Sequence, residues 1–510
     1  MDAKMGKTAG GLVKGAAVLG AAAILSKLLG TLQKIPLQNI AGDEVFGLYH
    51  AVYPLYILIL TLATAGVPVA VSAFVLDFAA SGDMGQARRV LRMAVVTVGL
   101  TGVLGFAGLY AAAETIARVI GMPQAALAVR SVSFALLVSP VMAAYRGYYQ
   151  GFQRMVPTAV SQVAEQTVRV AVMIALLLWL TDRGSGAESL AAGAAFGSVA
   201  GAVAGLGVML IYRWRDRHQT DEVLVSRLEP EPLGRLFRRF LAYAIPVCLG
   251  AIALPVLTIV DTLTLPRLIL AEGVTSGEAA RLFGLYNHGL PLVQLLTMVA
   301  TSLAAAIVPA IADAKTRGDV YLLMDRIRPT LEWTWLVGLG GSVGLIVTAY
   351  PVSVMLYADP VGWETMAILG ASALFGTLQV VIGSILQGLG EAKIPAVSMF
   401  LAAGVKLGGN LLLVPVWGIN GAAVALILAY GTAAAVNRFV LNRTLAFGKP
   451  AGGLAALGRL ARSLGAAVLM GALVFGLVWG LDELSTRLAP GALSYRAKHS
   501  LISLLAVGIG

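Results

Sequence analysis

Charged side chains within long apolar stretches are the residues of this sequence most able to do chemistry. Glu165 and Arg169 stand four residues apart, about one helical turn, and residues 170–180 that follow are wholly apolar. A charge at mid-membrane costs at least ~2.5–3.5 kcal/mol on insertion scales, so such side chains face a protein interior or a watery cavity. The pair therefore predicts a polar site inside a membrane-spanning protein. Mutual neutralisation in a purely structural pair is the alternative.

Further polar residues precede this pair. Lys27 and Lys34 are seven residues apart, which places them on one face of a predicted helix, with Gln33 to the side. Both lysines could instead extend their ammonium groups to a membrane interface. Lys27, Lys34 and Arg169 are three spanning cations against one acid, a balance that predicts an anionic solute. The candidate substrate-binding residues are Lys27, Gln33, Lys34, Arg146, Glu165 and Arg169.

The second half of the chain carries its own buried charges. Asp261 lies in one apolar stretch, and Lys406 and Asn410 lie one helical turn apart in another. We expect Asp261 and Lys406 to form a buried pair, which is either structural or part of an ion site with Asn410. His288 is expected near a helix end, where a capping or interfacial role is the simpler interpretation.

The elements that must position these residues are membrane helices. Hydrophobic residues make up 58% of the chain, charged residues 12%, and the mean hydropathy is +0.84, far above soluble proteins. About twenty apolar residues cross a hydrocarbon core. Windows of that kind predict about fourteen helices, near 12–35, 47–75, 91–112, 125–145, 158–180, 188–212, 241–265, 284–311, 331–356, 364–387, 395–416, 419–441, 460–481 and 497–510. The last window is short, so the sequence is expected to stop within that span.

The distribution of positive charge predicts the topology. With the N-terminus inside, the inner segments hold 25 Lys and Arg residues and the outer loops hold seven. The positive-inside rule therefore places both termini in the cytoplasm. The excess of positive residues in the inner loops also explains the net charge of +11. Because these basic residues are scattered over separate loops and not clustered on one face, nucleic-acid binding is not expected.

The two halves of the chain repeat each other. Phe46-Gly-Leu-Tyr49 returns as Phe283-Gly-Leu-Tyr286, and Gln150-Gly151 returns as Gln387-Gly388, both at an offset of 237 residues. Because six predicted helices separate each element from its counterpart, the halves should be parallel repeats. The predicted organisation is an N-lobe of helices one to six (1–212), a cytoplasmic linker with an interfacial helix (213–239), a C-lobe of helices seven to twelve (240–445) and two extra helices (446–510).

Several short elements resemble one known family. They are Ser26-Lys-Leu-Leu-Gly30, Gly47-Leu-Tyr49, Thr64-Ala-Gly-Val-Pro-Val-Ala-Val-Ser72, Arg146-Gly-Tyr-Tyr-Gln-Gly151 with residues 157–169, and Phe283-Gly-Leu-Tyr286 with Val308-Pro309. Together they resemble the polysaccharide-transporter branch of the MOP flippase superfamily, within it the stage V sporulation protein B and MurJ-like lipid II flippases. The resemblance covers essentially the whole chain.

The resemblance implies a 6+6 bundle around a cationic cavity, with the last two helices forming a groove for a lipid tail. It also implies export of an undecaprenyl-pyrophosphate-linked cell-wall precursor by alternating access, in a bacterial cell membrane and in the company of a cell-wall synthesis complex. The chain departs from Gram-negative relatives, which have arginines where Lys27 and Gln33 stand and an arginine where Asn287 and His288 stand. Some relatives bind sodium near the position of Lys406, whose ammonium could replace the ion.

Other functions remain open at this stage. A membrane glycosyltransferase would need a sizeable outer loop with acid–base residues, and the predicted outer loops are short. A drug or cation antiporter of the same superfamily would favour acidic residues in its cavity. Export of a teichoic or capsular precursor, or a scaffold without transport, fits the same residues. The expectation is a transporter rather than an enzyme, without a cofactor, whose coupling ion the sequence leaves open.

Overall fold

The architecture is all-helical, as the sequence predicts. A computed structural model describes residues 2–64, 66–220, 232–445, 453–488 and 495–509. Every long element in this described part is an α-helix, and ten helical stretches are long and apolar enough to cross a membrane. The all-α membrane class is therefore confirmed. The count of fourteen spans and the parallel repeat stay predictions.

The chain divides into two compact units, Met1–Pro255 and Val256–Gly510. The helices of the first unit are α1 (Asp2–Leu32), α2 (Lys34–Thr64), α3 (Val67–Ala80), α4 (Met84–Ala111), α5 (Ala113–Ile120), α6 (Ala126–Ser133), α7 (Ala135–Gly151), α8 (Met155–Asp182), α9 (Ala187–Thr220) and α10 (Leu233–Ala251). Those of the second are α11 (Ala253–Leu270), α12 (Ser276–His288), α13 (Leu290–Thr316), α14 (Val320–Tyr357), α15 (Trp363–Gly388), α16 (Lys393–Thr444), α17 (Gly453–Leu488) and α18 (Tyr495–Ile509).

The predicted four-part organisation stays a prediction. Its linker, 213–239, includes residues 221–231, and its last part, 446–510, includes 446–452, 489–494 and 510. These residues lie outside the described part of the chain.

Two predicted spans turn out to be the halves of one helical hairpin. Residues 395–416 and 419–441 both fall within α16, whose backbone leaves the helical region at Gly418 (φ 55°, ψ −137°). A Cβ on Gly409 would lie 2.7 Å from the Cβ of Ala425, so the segments on either side of Gly418 pack against each other. A glycine tolerates this left-handed backbone at low cost, which explains why the chain turns there.

Matched glycines bring matching helices together in each unit. In the first unit a Cβ on Gly151 would lie 2.8 Å from the carbonyl oxygen of Ser72. In the second a Cβ on Gly388 would lie 2.9 Å from the carbonyl oxygen of Val308. The Gln-Gly element noticed in the sequence is therefore a close helix contact in both halves, of the kind that small residues permit in membrane bundles.

The repeated Gly-Asp pair has the same local structure twice. Gly82 and Gly318 both have positive φ angles, 77° and 66°, and each is followed by an aspartate that caps the next helix. Asp83 accepts a hydrogen bond from the backbone N–H of Gln86, and Asp319 accepts one from that of Leu322. A carboxylate at this position satisfies an otherwise unpaired N–H at the helix start.

Candidate functional site

The first unit holds a compact arginine cluster, defined here as Arg146, Glu165 and Arg169. Arg146 lies near the end of α7, and the other two residues lie one turn apart on α8. Arg146 Nη2 donates to Glu165 Oε2 over 2.9 Å, and Arg169 Nη2 donates to Glu165 Oε1 over 3.0 Å. The three side chains are only 16%, 15% and 10% exposed, in that order. Two guanidinium groups therefore share one carboxylate, which leaves the buried cluster with a net charge of +1.

Ser161 joins this cluster to the neighbouring helix α9. Arg146 donates to Ser161 Oγ from Nε and Nη2, over 3.1 and 2.9 Å. The serine hydroxyl in turn donates to the carbonyl oxygen of Gly205, over 2.8 Å. Ser161 is fully buried. The guanidinium of Arg146 is thus fixed from two sides, by a carboxylate and by a hydroxyl anchored to backbone.

Three glycines let α9 approach the cluster. A Cβ on Gly197 would lie 2.7 Å from the carbonyl oxygen of Arg169, and one on Gly201 would lie 2.6 Å from that of Glu165. Gly205 continues the same face one turn later. Because these glycines have no side chains, the backbones of α8 and α9 approach each other closely along this stripe. It was not predicted from the sequence, although glycines at positions i, i+4 and i+8 were visible.

Tyr53 is another residue of the site that was not predicted from the sequence. Arg169 Nη1 donates to its hydroxyl oxygen over 3.1 Å, and its ring stacks on that of Tyr49 with centroids 5.4 Å apart. Arg169 Nε is buried without an acceptor among the described residues. Arg169 is therefore held by Glu165 and Tyr53 while one of its donors remains unused. The signal in the sequence was a polar tyrosine one turn after the Gly-Leu-Tyr element.

Lys27, Gln33 and Lys34 lie on or between α1 and α2. Lys27 is exposed and makes no hydrogen bond or ion pair within the described residues, so no direct polar contact joins it to the arginine cluster. Gln33 is buried at the junction of the two helices, and Lys34 is partly buried. Pro36 lacks the backbone N–H that would continue the helix ladder, which accounts for the break. Lys27 and Lys34 were expected on one face of a single helix, but they lie on two helices, on either side of the junction at Gln33.

Helix α1 nevertheless approaches the helix that carries the cluster. A Cβ on Gly30 would lie 2.5 Å from the side-chain nitrogen of Gln166 on α8. Gln166 follows Glu165 directly in the chain. The part of α1 between Lys27 and Lys34 thus packs beside the segment of α8 that holds the acidic member of the cluster.

The second unit contains a separate buried cluster, defined here as Asp261, Tyr286, Lys406, Asn410 and Thr264. Lys406 Nζ lies 2.9 Å from Asp261 Oδ1 and also donates to Tyr286 Oη over 3.2 Å. Asn410 Nδ2 donates to Asp261 Oδ1 over 2.9 Å and to Thr264 Oγ1 over 2.8 Å. Tyr286 Oη donates to the other carboxylate oxygen of Asp261 over 2.8 Å. The expected contact between Asp261 and Lys406 is thus present.

The turn in α16 completes the surroundings of Lys406. Its ammonium also donates to the carbonyl oxygen of Ala422 over 2.6 Å, an atom that reaches it because the chain doubles back at Gly418. Tyr286, the last residue of the repeated Phe-Gly-Leu-Tyr element, was not expected there. The lysine side chain is 0% exposed and that of the aspartate 8% exposed. Every charge in this cluster is compensated by a partner at hydrogen-bonding distance.

His288 ends α12 and is buried. Its ring stacks on Tyr357 with centroids 3.9 Å apart and planes within 14°. The Tyr357 hydroxyl donates to the backbone carbonyl of His288 over 3.0 Å. The imidazole is therefore part of an aromatic contact at a helix end within the second unit.

Comparison with known proteins assigns the family. The family model described as "Polysaccharide biosynthesis protein" matches residues 12–315, more than half of the chain. The chain belongs to this family. It is also 32% identical over its whole length to the uncharacterised membrane protein YabM of Bacillus subtilis (strain 168), of which it covers 92%.

Two further similarities concern flippases. The chain is 29% identical to the lipid II flippase MurJ of Bacillus subtilis (strain 168), with 82% of this chain and 80% of that protein covered. A solved structure of a lipid II flippase MurJ in an inward closed conformation superimposes with a TM-score of 0.66 at 12% identity, covering 97% of both chains. The resemblance inferred from the sequence is confirmed, and the fold is that of MurJ-like transporters. Both of these relatives are flippases and not enzymes.

Proposed function

We propose that this protein is a flippase that moves an undecaprenyl-pyrophosphate-linked saccharide, a lipid II-like cell-wall precursor, from the cytoplasmic to the outer leaflet. The observation that carries the proposal is the arginine cluster, in which two mostly buried guanidinium groups share one carboxylate. Such a site suits an anion that must enter an apolar environment. The similarity to a lipid II flippase supports this class of cargo.

The physical problem of flipping is the head group. Unpaired charge in an apolar medium is severely penalised, so a pyrophosphate with its sugars does not cross hydrocarbon without partners. A guanidinium presents a planar fork of donors that matches phosphate oxygens in a bidentate manner. Arg146 and Arg169 supply two such forks, and the polyprenyl tail can stay in the lipid. Lys27 and Lys34 are proposed to add point charges along the path of the head group.

Glu165 makes this binding reversible. Without cargo it compensates the two arginines, which keeps their burial tolerable. An arriving pyrophosphate competes with the carboxylate for the same donors, and the unused Nε of Arg169 adds a contact that Glu165 does not occupy. After release on the other side the carboxylate takes the arginines back. Alternating access would open the site to each side of the membrane in turn.

The buried cluster of the second unit has a different part in this proposal. Asp261 and Lys406 neutralise each other and are enclosed by Tyr286 and Asn410, so we assign them to the integrity of that unit. Their compensated charge offers little to an anionic cargo. A role in binding a coupling ion would require Lys406 to leave Asp261.

Depletion of this protein in cells tests which lipid-linked precursor it moves. Cells in which this protein is depleted, in a strain lacking other flippases, should accumulate the lipid-linked precursor on the cytoplasmic leaflet, measured by extraction and mass spectrometry. A lipid II-like disaccharide-peptide supports the proposal as stated. Accumulation of a teichoic or capsular lipid intermediate would assign the same mechanism to another saccharide. Wall synthesis without any accumulating intermediate would exclude a flippase.

A further inference from the structure

Helix α10 presents three different faces in the first unit. Leu236, Phe240 and Ala244 recur every four residues and are buried. Phe240 packs on Phe74 of α3, with ring centroids 6.2 Å apart. This buried face fixes the helix onto the unit, so the remaining faces have a defined direction.

The direction of α10 follows from a second contact. The carbonyl of Ala244 lies so close to Gly66, just before α3, that a Cβ there would overlap with it. Since Phe240 meets Phe74 further along α3, the two helices run antiparallel. The first turns of α10 therefore lie beside the end of α3 and the turn that leads into α4.

Three arginines lie outside the buried stripe. Arg235, Arg238 and Arg239 are exposed, and the guanidinium of Arg239 lies 5.2 Å from the centre of the Phe74 ring. Within the described residues neither Arg235 nor Arg238 forms an ion pair. The third face, flanking the arginines, is apolar and open, with Phe237 38% and Ile245 50% exposed. A single helix of 19 residues thus combines cations and exposed apolar side chains.

The surrounding helix ends add to the positive charge. Arg213 of α9 lies over the ring of Tyr148. The nearby carboxylate of Asp216 forms an ion pair with Arg154, over 2.7 Å. Asp83 is engaged in capping α4. Arg215, near the end of α9, is exposed as well. We call this surface, together with the arginine face of α10, the arginine rim.

We propose that the arginine rim binds the head group of an anionic phospholipid, with its phosphate at Arg235 and Arg238 and its acyl chains against Phe237 and Ile245. Helices with a basic face and an apolar flank lie in the membrane interface, where anionic lipids attract them. The contribution of each basic residue near such a surface corresponds to a factor of about five in affinity. The apolar flank favours a lipid over an acidic protein segment, which would leave Phe237 and Ile245 uncovered. The adjoining leaflet is the one that the charge asymmetry predicts to be cytoplasmic.

Lipid binding to the full-length protein tests this inference without any transport assay. The purified protein is titrated in detergent with dioleoyl phosphatidylglycerol or dioleoyl phosphatidylcholine, and bound lipids are counted by native mass spectrometry. The wild type should prefer phosphatidylglycerol, and added salt should weaken that preference. Arg235→Gln/Arg238→Gln should lower phosphatidylglycerol affinity about 25-fold. Affinity for phosphatidylcholine should not change.

A matched control changes the same charge elsewhere. Arg118→Gln/Arg183→Gln removes one arginine of α5 and one that directly follows α8, and should leave phosphatidylglycerol binding at the wild-type level. Equal affinity of the wild type for both lipids would overturn the inference. So would undiminished phosphatidylglycerol binding by Arg235→Gln/Arg238→Gln. Binding of an acidic peptide such as oligoglutamate in preference to phosphatidylglycerol would assign the rim to a protein partner instead.

Discussion

Asp261 Oδ1 on α11 lies 2.9 Å from Lys406 Nζ on α16, in the interior of the second unit. Tyr286 and Asn410 bind the same carboxylate, so the aspartate has partners on both oxygens. A buried pair of this kind contributes little net stability compared with apolar residues of the same size, yet losing one partner leaves an uncompensated charge. The pair thus makes the unit sensitive to single substitutions and tolerant of a matched double substitution.

Asp261→Ala and Lys406→Ala should each lower the free energy of unfolding by about 3–5 kcal/mol, because each leaves the other charge buried alone. Asp261→Ala combined with Lys406→Ala should recover part of that loss, since neither buried charge then remains without its partner. Thermal unfolding of the purified protein in detergent measures both effects. The exposed pair of Arg317 and Asp313 provides the control, because Asp313→Ala should change stability by less than ~1 kcal/mol. Additive losses in the double variant would contradict the coupling.

Glu165→Gln should tighten binding of a pyrophosphate. The substitution removes the carboxylate that competes with the ligand for Arg146 and Arg169, and hydrogen bonds to charged groups contribute about 1.5–3 kcal/mol. Affinity for a short-chain polyprenyl pyrophosphate, measured by calorimetry in detergent, should rise at least about tenfold. Turnover in liposomes should fall because release is slower.

The control for this experiment is Glu278→Gln, which removes an acid paired with Arg281 in the second unit. It should alter neither affinity nor turnover. Unchanged or weaker binding by Glu165→Gln, in a protein that is still folded at the assay temperature, would refute the assigned role of Glu165 as a competing anion.

Gly201→Ala should destabilise the first unit by about 1–3 kcal/mol, because its Cβ would press on the backbone of Glu165 and the side chain of Arg169. Gly207 lies on the same helix, and a Cβ there would meet no heavy atom within 4 Å. Gly207→Ala should therefore be neutral or stabilise by ~0.4–1 kcal/mol. Comparison of the unfolding temperatures of Gly201→Ala and Gly207→Ala tests this prediction. Equal tolerance of both would show that α9 can move away from the cluster.

Topology is tested by accessibility of single cysteines. With Cys248 replaced by alanine, a cysteine at the exposed Arg215 should resist an impermeant maleimide added to intact cells, whereas one at Arg183 should react. Labelling of both sites after the cells are opened verifies that each thiol is reactive. Reaction of the cysteine at position 215 in intact cells would reverse the predicted orientation.

Much of the fold was accessible from the sequence because membrane helices leave a strong signal in length and apolar composition. The positions at which individual helices begin and end were harder to predict. The turn of α16 at Gly418 falls in the gap between the predicted spans 395–416 and 419–441, but hydropathy does not show that the two segments are joined by so close a turn. The break between α1 and α2 at Gln33 follows from Pro36, whose effect an apolar window does not register.

The candidate site was predictable only where partners share a helix or where charge demands a partner. The spacing of Glu165 and Arg169 gave their contact directly, and the cost of buried charge pointed from Asp261 to Lys406. The contacts of Arg169 with Tyr53 and of Ser161 with Gly205 join residues on different helices, 116 and 44 positions apart in the chain. Such contacts depend on tertiary packing, which no local pattern encodes.

The most direct test of the central claim is the rate at which a fluorescent undecaprenyl-pyrophosphate-linked saccharide crosses the bilayer of liposomes containing the purified protein. The wild type should move it to the opposite leaflet, whereas Arg169→Gln should not, although its expression and unfolding temperature stay near wild type. Lys27→Gln is expected to lose transport as well, and Arg317→Gln, on the exposed surface of the second unit, to retain it. Translocation by Arg169→Gln at the wild-type rate would contradict the proposal that the arginine cluster carries the pyrophosphate across the membrane.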